Sequence, residues 1–342
     1  MVEGKPIGIG NVAYVLGMCS KKLHRWYKEV LSGFKQLEEK GELDKNNISV
    51  KEKGEIKEIK VPIFEEKNLG RQMAIDEKSI NGDVYTILSN RESGKIALMA
   101  STIKAKYLTE ILTNFSLEKR MSVESISRDM APHYDWVARQ VFMNAYHIVD
   151  KFHVIKNILE QLQATRVHYR QMELTKRREA KNGEYDYIEL ALENGDTILQ
   201  LLARSRGLLF LMPNEWNEQQ KQRAKILFEK YPHIKKVYQA VIKIRIWYRP
   251  PKGSKTYVKT RVRKKEQISN IIKELKKSTI NEIKNIAFLI SKNIANILHY
   301  FIEKETNAKA EAINQVLQRF IITNYGARNM KFFLFRVKIY FT

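Results

Sequence analysis

Three acidic residues stand at the ends of short apolar runs: Asp76 closes MAID, Asp129 closes ESISRD and Asp150 closes AYHIVD. Carboxylates at one edge of a sheet, after strands that become parallel neighbours, converge, and their repulsion is relieved when a divalent cation sits among them. An all-oxygen donor set suits Mg²⁺ or Mn²⁺ rather than Zn²⁺. The single cysteine, Cys19, leaves no zinc site built on several thiolates and no internal disulfide. Two such ions about 3.5–4 Å apart activate a water or a 3′-hydroxyl and steady the leaving oxygen in phosphodiester displacement. The plainer reading of any one of these residues is a strand-end aspartate that caps a helix.

The surrounding pattern supplies the elements that must carry them. RQMAIDEKSI, DVYTILSN and KIALMAST are β-type runs separated by NGD and RESG, which are good hairpin turns. An amphipathic helix over 104–115 follows, then a fourth strand at VESISRD, a helix over 133–142 and a fifth strand at AYHIVD. The order β-β-β-α-β-α-β predicts an α/β fold with a mixed five-stranded sheet, three meandering strands extended by parallel crossovers. From 152 to 301 nearly every segment reads as helix, and the last two helices are expected over 308–323 and 330–340. Near the start, Ala13, Gly17 and Leu23 have the spacing of a helix-turn-helix, with a second helix from about Ser20 exposing Lys21, Lys22, His24, Arg25 and Lys28. An ordinary helical hairpin has the same spacing. The charged stretch that follows, with the run KEKGEIKEIKVP, reads as a linker with one strand around 56–63.

Charge points to a polyanionic partner. The 342 residues carry 61 Lys+Arg against 38 Asp+Glu, a formal net charge of +23, and self-repulsion on that scale is relieved by a polyanion. Between Lys243 and Lys277 there are 13 Lys/Arg and two acids, with Tyr248 and Tyr257 among the cations, a composition suited to phosphate contact and base stacking; on charge alone a solvated basic loop, a membrane surface or an acidic partner are the alternatives. At 44% hydrophobic the chain builds a core rather than remaining disordered. No apolar run reaches the roughly 20 residues that cross a bilayer, and MVEGKPIGIG lacks a signal-peptide core. The expectation is a cytoplasmic, DNA-associated protein without a membrane partner.

Five motifs in order, ID-E at 75–77, RDMAP at 128–132, VDKFHVIK at 149–156, ENGDTILQLLARSRGLLF at 193–210 and AEAINQVLQRF at 310–320, resemble the transposases of bacterial insertion sequences, in the DDE branch with a D-x-F-H motif (the IS-L-three type). The resemblance runs over residues 70–342. It implies a ribonuclease H-like catalytic core interrupted by a large all-α insertion. The expected organisation is a helix-turn-helix segment at 1–35, a linker at 36–69, the first part of the core at 70–155, the insertion at 156–303 and closing helices at 304–342.

Carried over by position, the resemblance makes Asp76, Asp129 and Glu311 the catalytic and metal-binding acids, separated by 53 and 182 residues. Glu311 matches through the pattern Asn307, Glu311, Asn314; nothing else in the sequence singles it out. Asp150 and His153 match the D-x-F-H element, an auxiliary pair that orients substrate or metal ligands, or else a simple core-edge contact. The implied cofactor is Mg²⁺ or Mn²⁺, as two ions. The implied partners are the inverted repeats and target DNA, with the chain acting as a homo-oligomer. Relatives commonly begin with a cysteine-rich zinc ribbon; here a separate N-terminal polypeptide is a possible partner.

Candidate DNA contacts are Lys21, Lys22 and Arg25 in the second helix, Arg204 and Arg206 in the insertion, Trp247, Lys264 and Lys265 at the basic run, and Arg319 in the closing helix. Arg204 and Arg206 are two residues apart and so point to different helix faces, one suited to an internal acid and one to phosphate. Trp216 and Trp247 are candidates for stacking on a flipped base, a role some related enzymes give to an insertion aromatic; packing is the simpler reading of both. The leading expectation is a transposase that cleaves and joins DNA. The alternatives are an inactive DNA-binding regulator and a structure-specific nuclease on the same fold.

Overall fold

The computed structural model describes residues 7–52, 54–183, 188–249, 257–301, 308–323 and 329–342, with the backbone alone at 257–260 and 308–311. The chain divides into two units, Met1–Asp150 with Glu303–Thr342, and Lys151–Ile302. The first is a mixed α/β unit, and the described part of the second is helical.

The first unit begins with helices α1 (Ile9–Val15), α2 (Ser20–Trp26) and α3 (Phe34–Glu39). The turn between α1 and α2 is made at Gly17, whose φ of +63° is the left-handed conformation that glycine adopts without a Cβ penalty. Ala13 and Leu23 are buried, as their spacing predicts. Next come β1 (Ile48–Glu52) and β2 (Glu55–Ile59), a separate antiparallel pair.

The main sheet has six strands: β3 (Ile63–Phe64), β4 (Gln72–Ile80), β5 (Asp83–Asn90), β6 (Ile96–Ala100), β7 (Ser125–Arg128) and β8 (Tyr146–Val149), in spatial order β3-β6-β5-β4-β7-β8. The β4–β5 hairpin turns through Asn81 and Gly82, both at positive φ (50° and 90°), as a two-residue hairpin loop of matching twist requires. β4, β7 and β8 run parallel. Their crossovers are α4 (Ala105–Leu112) with α5 (Leu117–Met121), and α6 (Pro132–Val141).

Two expectations are corrected here. The sheet has six strands rather than five, because the two-residue β3 pairs with β6 at its edge. The stretch expected as a linker with one strand contains α3, β1, β2 and β3, and Val50, Ile59 and Val61 join the main core. Its low-complexity run misleads because β2 exposes four of its five residues, so charged side chains dominate the strand.

The second unit contributes α7 (Lys151–Lys181), α8 (Ile198–Phe210), α9 (Glu218–Lys230), α10 (Pro232–Trp247), α11 (Tyr257–Lys276), α12 (Asn281–Lys292) and α13 (Ile294–His299). Its boundaries are written locally. Thr197 with Gln200 and Asn217 with Gln220 form capping boxes at the starts of α8 and α9, and Pro232 opens α10. The chain then returns to the first unit with α14 (Ala308–Thr323) and α15 (Met330–Phe341).

Helices cover both faces of the sheet. Met73, Ile75, Leu88 and Ile126 pack with Leu108, Ile111, Tyr134 and Val137 of α4 and α6. On the opposite face Tyr85, Ile87 and Met99 pack with Ile313, Leu317 and Phe320 of α14 and Phe333 and Val337 of α15. Phe332 and Phe335 of α15 turn the other way and bury Ile9, Val12, Ala13 and Leu23, which fastens the N-terminal helices to the last one.

Candidate active site

Strand register gathers the three strand-end aspartates. β4 and β7 pair in parallel as far as Ala74↔Ser127, and two more residues on each strand bring Asp76 level with Asp129. β7 and β8 pair as far as Arg128↔Val149, and one more residue brings Asp129 level with Asp150. Side chains alternate across a strand. Met73 and Ile75 face α4 and α6, so Asp76 faces α14, and its antiparallel partner Ile87 packs against α14 as well. The same alternation from Ile126 puts Asp129 on that face. Asp76 and Asp129 are half-buried.

Both carboxylates are oriented by short hydrogen bonds. Asp76 Oδ2 accepts from Asn314 Nδ2 of α14 at 2.6 Å and Oδ1 accepts from the Glu77 N–H at 2.8 Å. Asp129 Oδ1 accepts from the Ala131 N–H at 2.8 Å, which shapes the turn into α6. The Tyr134 phenol, buried beneath them and 3.1 Å from Thr86 Oγ1, is pushed above its ordinary range by burial first, with the charges of Glu77, Asp129 and Asp76 adding. One phenol thus feels both acids.

A charged cluster behind Asp129 is absent from the sequence reading. Arg128, 3% exposed, ion-pairs with Asp135 in the first turn of α6 and donates through Nη1 to the Asp129 carbonyl at 2.8 Å. Asp135 also accepts from Arg139 Nε at 3.0 Å, and its Oδ1 lies 3.3 Å from His147 Nδ1. Burial pushes the Asp135 carboxyl up, but Arg139, Arg128 and His147 outweigh it and hold the group below its ordinary value. Burial, then Arg128, lowers His147. The available signal was an arginine at the end of a four-residue strand buried throughout, where a charge requires a partner.

The other expected site residues separate into groups. The side chain of Glu311 lies outside the described residues; its backbone is in α14, three residues before Asn314. Asp150 closes the first unit, and its N–H donates to the Arg128 carbonyl at 3.1 Å; His153, half-buried in α7, belongs to the second. Lys21, Lys22, Arg25, Arg206, Lys265 and Arg319 are exposed. Arg204, itself exposed, is committed to Asp196, a buried acid that also accepts from Arg223 Nε at 2.8 Å, so of the two arginines Arg204 is the one that pairs with an internal acid. Residues 250–256 of the basic run lie outside the described residues.

Trp247 and Lys264 are corrected as surface DNA contacts. Trp247 is 4% and Lys264 6% exposed. The indole Nε1 donates to the Lys264 carbonyl at 3.0 Å, while Lys264 Nζ donates to the carbonyls of Trp247 and Arg249 and lies over the Trp247 and Phe301 rings. The pair closes the C-terminal end of α10 against α11, spending the groups that DNA would have needed. Trp216 differs. Half-buried, it donates to the Leu208 carbonyl at 2.8 Å, stacks on Tyr238 at 5.6 Å and lines a cavity of about 660 Å³ with Phe228, Lys235 and Lys236.

Asp76 and Asp129 offer hard oxygen donors at one level on one face, which fits Mg²⁺ or Mn²⁺. Among the described side chains, which do not include that of Glu311, no group of three or more His, Cys, Asp or Glu is placed to hold a metal.

The chain is thus an α/β unit with aligned carboxylates at the edge of parallel strands, interrupted by a basic helical unit. The model of the family described as Transposase, the DDE family of the IS-L-three type, matches residues 73–337, and the chain belongs to that family. Neither the curated proteins nor the solved structures give a match. Membership agrees with a DNA substrate and with the use of divalent metals general to DDE transposases. Among the described residues no helix is long and apolar enough to cross a membrane.

Proposed function

We propose that this chain binds the inverted-repeat ends of its own element and catalyses divalent-metal-dependent cleavage and strand transfer of DNA. The observation that carries the reading is the 2.6 Å bond from Asn314 to Asp76, across 238 positions of sequence. It lays α14 against the acidic strand edge, and Glu311 stands one helical turn before Asn314 on the same row of the helix. The sheet order, with three antiparallel strands and two parallel ones around Asp76, is the support for a ribonuclease H-like core.

Asp76, Asp129 and Glu311 would hold two Mg²⁺ or Mn²⁺ ions, which when bound supply a Lewis acid at the scissile phosphate and a water or 3′-hydroxyl of lowered pKa. The chain's own part is placement. Asn314 turns the Asp76 carboxylate, and the Ala131 N–H turns that of Asp129, so both oxygens are aimed before substrate arrives. In-line displacement of one phosphodiester oxygen by another needs no covalent protein intermediate.

Recognition is assigned to the N-terminal helix pair and the helical unit. Lys21, Lys22 and Arg25 lie on the exposed side of α2, opposite buried Leu23, as a helix-turn-helix recognition helix would have them. Arg206, Lys265 and Arg319 are phosphate contacts in this reading, and Trp216 with Lys235 and Lys236 a contact for an unpaired base. Purified protein, Mn²⁺ and a duplex carrying the flanking repeats test the proposal. Wild type nicks and joins the ends, and Asp76→Asn binds without nicking. Repeat binding by wild type without nicking would instead make the chain a regulator, and cutting without joining a nuclease.

A further inference from the structure

The charged cluster behind the acidic edge has a use that the metal ligands do not explain. A buried arginine is costly unless its donors are engaged, and Arg128 meets three partners, two through its terminal side-chain nitrogens and one through its main chain. Its carbonyl accepts the Asp150 N–H at 3.1 Å, its Nη1 donates to the Asp129 carbonyl at 2.8 Å, and its Nη2 pairs with Asp135. The Arg128 side chain thus holds the backbone of Asp129, while Asp150 is tied to the Arg128 main chain by a strand-ladder bond. Asp135 is anchored in turn by Arg139 at 3.0 Å and by His147 on β8 at 3.3 Å, so β7, β8 and α6 meet at a single carboxylate. α6 is also the helix whose entry turn orients Asp129 through the Ala131 N–H.

From this geometry we infer that Arg128 is a positioning residue: together with Asp135 it holds the Asp129 carboxylate in the attitude that a divalent ion requires, before the ion binds. The inference rests on Asp129 being a metal ligand. Asp135 and His147 are not themselves ligands. They lie on the side of β7 turned toward α6, because Arg128 alternates with Asp129 along the strand. Loss of such supporting contacts typically lowers metal affinity roughly 10- to 100-fold while leaving the ligands in place.

The test uses the full chain and Mn²⁺ alone as the probe, with affinity read by calorimetric titration and by the Mn²⁺ concentration that half-saturates strand cleavage. Arg128→Met is expected to weaken Mn²⁺ about tenfold or more, in line with lost supporting contacts elsewhere, with cleavage recovering at saturating Mn²⁺. Repeat affinity should stay at wild type. Arg128→Lys should restore part of the loss. Asp135→Asn should act in the same direction and add little on top of Arg128→Met, because both remove one link. Wild-type Mn²⁺ affinity in both Arg128→Lys and Asp135→Asn would overturn the inference, and those milder variants decide the matter if Arg128→Met does not fold. Asp129→Asn separates the two levels. Unchanged Mn²⁺ affinity there defeats the ligand assignment itself, whereas lost affinity there with a wild-type Arg128→Lys and Asp135→Asn defeats only the role of Arg128.

Discussion

The two units carry similar numbers of cations and very different numbers of acids. Residues 1–150 with 303–342 hold 30 Lys/Arg against 24 Asp/Glu, whereas residues 151–302 hold 31 against 14, which is +17 of the total +23. The sheet unit spends acids on a site, with Asp76 and Asp129 aligned and Asp135 bound by two arginines behind them. In the helical unit the buried acid Asp196 neutralises two arginines, and cations outnumber acids by about two to one. The difference teaches that the charge excess lies in one part of the chain and the aligned acids, to which the proposed chemistry is assigned, in the other. Cleavage and affinity should then respond to different substitutions.

The largest expected effect is on chemistry. Asp76→Ala, Asp129→Ala or Glu311→Ala should each take strand cleavage below detection in a nicking assay, with repeat affinity remaining roughly within threefold because phosphate contacts dominate it. Cleavage at the wild-type rate by any of the three would break the comparison at its acidic end.

Next come substitutions in the helical unit that the correction of Trp247 and Lys264 turns into stability effects. Trp247→Ala should cost about 3–5 kcal/mol in a denaturant titration. Lys264→Glu, which sets a buried carboxylate against two carbonyls, should cost a similar amount, about 3–5 kcal/mol. Unfolding midpoints equal to wild type would return both residues to the DNA surface.

A smaller change sharpens the basic end. Arg206→Glu and Lys265→Glu sit on exposed positions, and each should lower repeat affinity while reducing the slope of log affinity against log salt by about 1. An unchanged slope would mean that the charge excess of this unit faces solvent.

The smallest effect is on pH. Burial and then Arg128 hold the folded pKa of His147 below its ordinary value, so the unfolded chain takes up the proton first. Stability should be complete above the ordinary histidine value of about 6.5 and decline as pH falls below it. The depressed Asp135 extends the loss to lower pH, as its carboxylate protonates. His147→Gln should flatten the upper part of that decline in thermal melts taken between neutral and mildly acidic pH; an unaltered decline would assign it to other groups, His24 among them, which is lowered mainly by its own burial.

Local chemistry determined a good deal of this molecule. Asn81–Gly82 specifies the β4–β5 hairpin, alternation and strand ends set Asp76, Asp129 and Asp150 at one edge, and the last two helices, expected over 308–323 and 330–340, span Ala308–Thr323 and Met330–Phe341. Those signals lie within one element or one turn, where sterics and burial act on neighbours in sequence. Tertiary structure alone decided the rest. The contact of Asn314 with Asp76, the union of Arg128, Asp135 and His147, and the burial of Trp247 against Lys264 each join segments that carry no mark of one another. A charged or aromatic side chain looks the same in sequence whether its partner is phosphate or a carbonyl on the next helix, because only folding settles which of the two desolvates it.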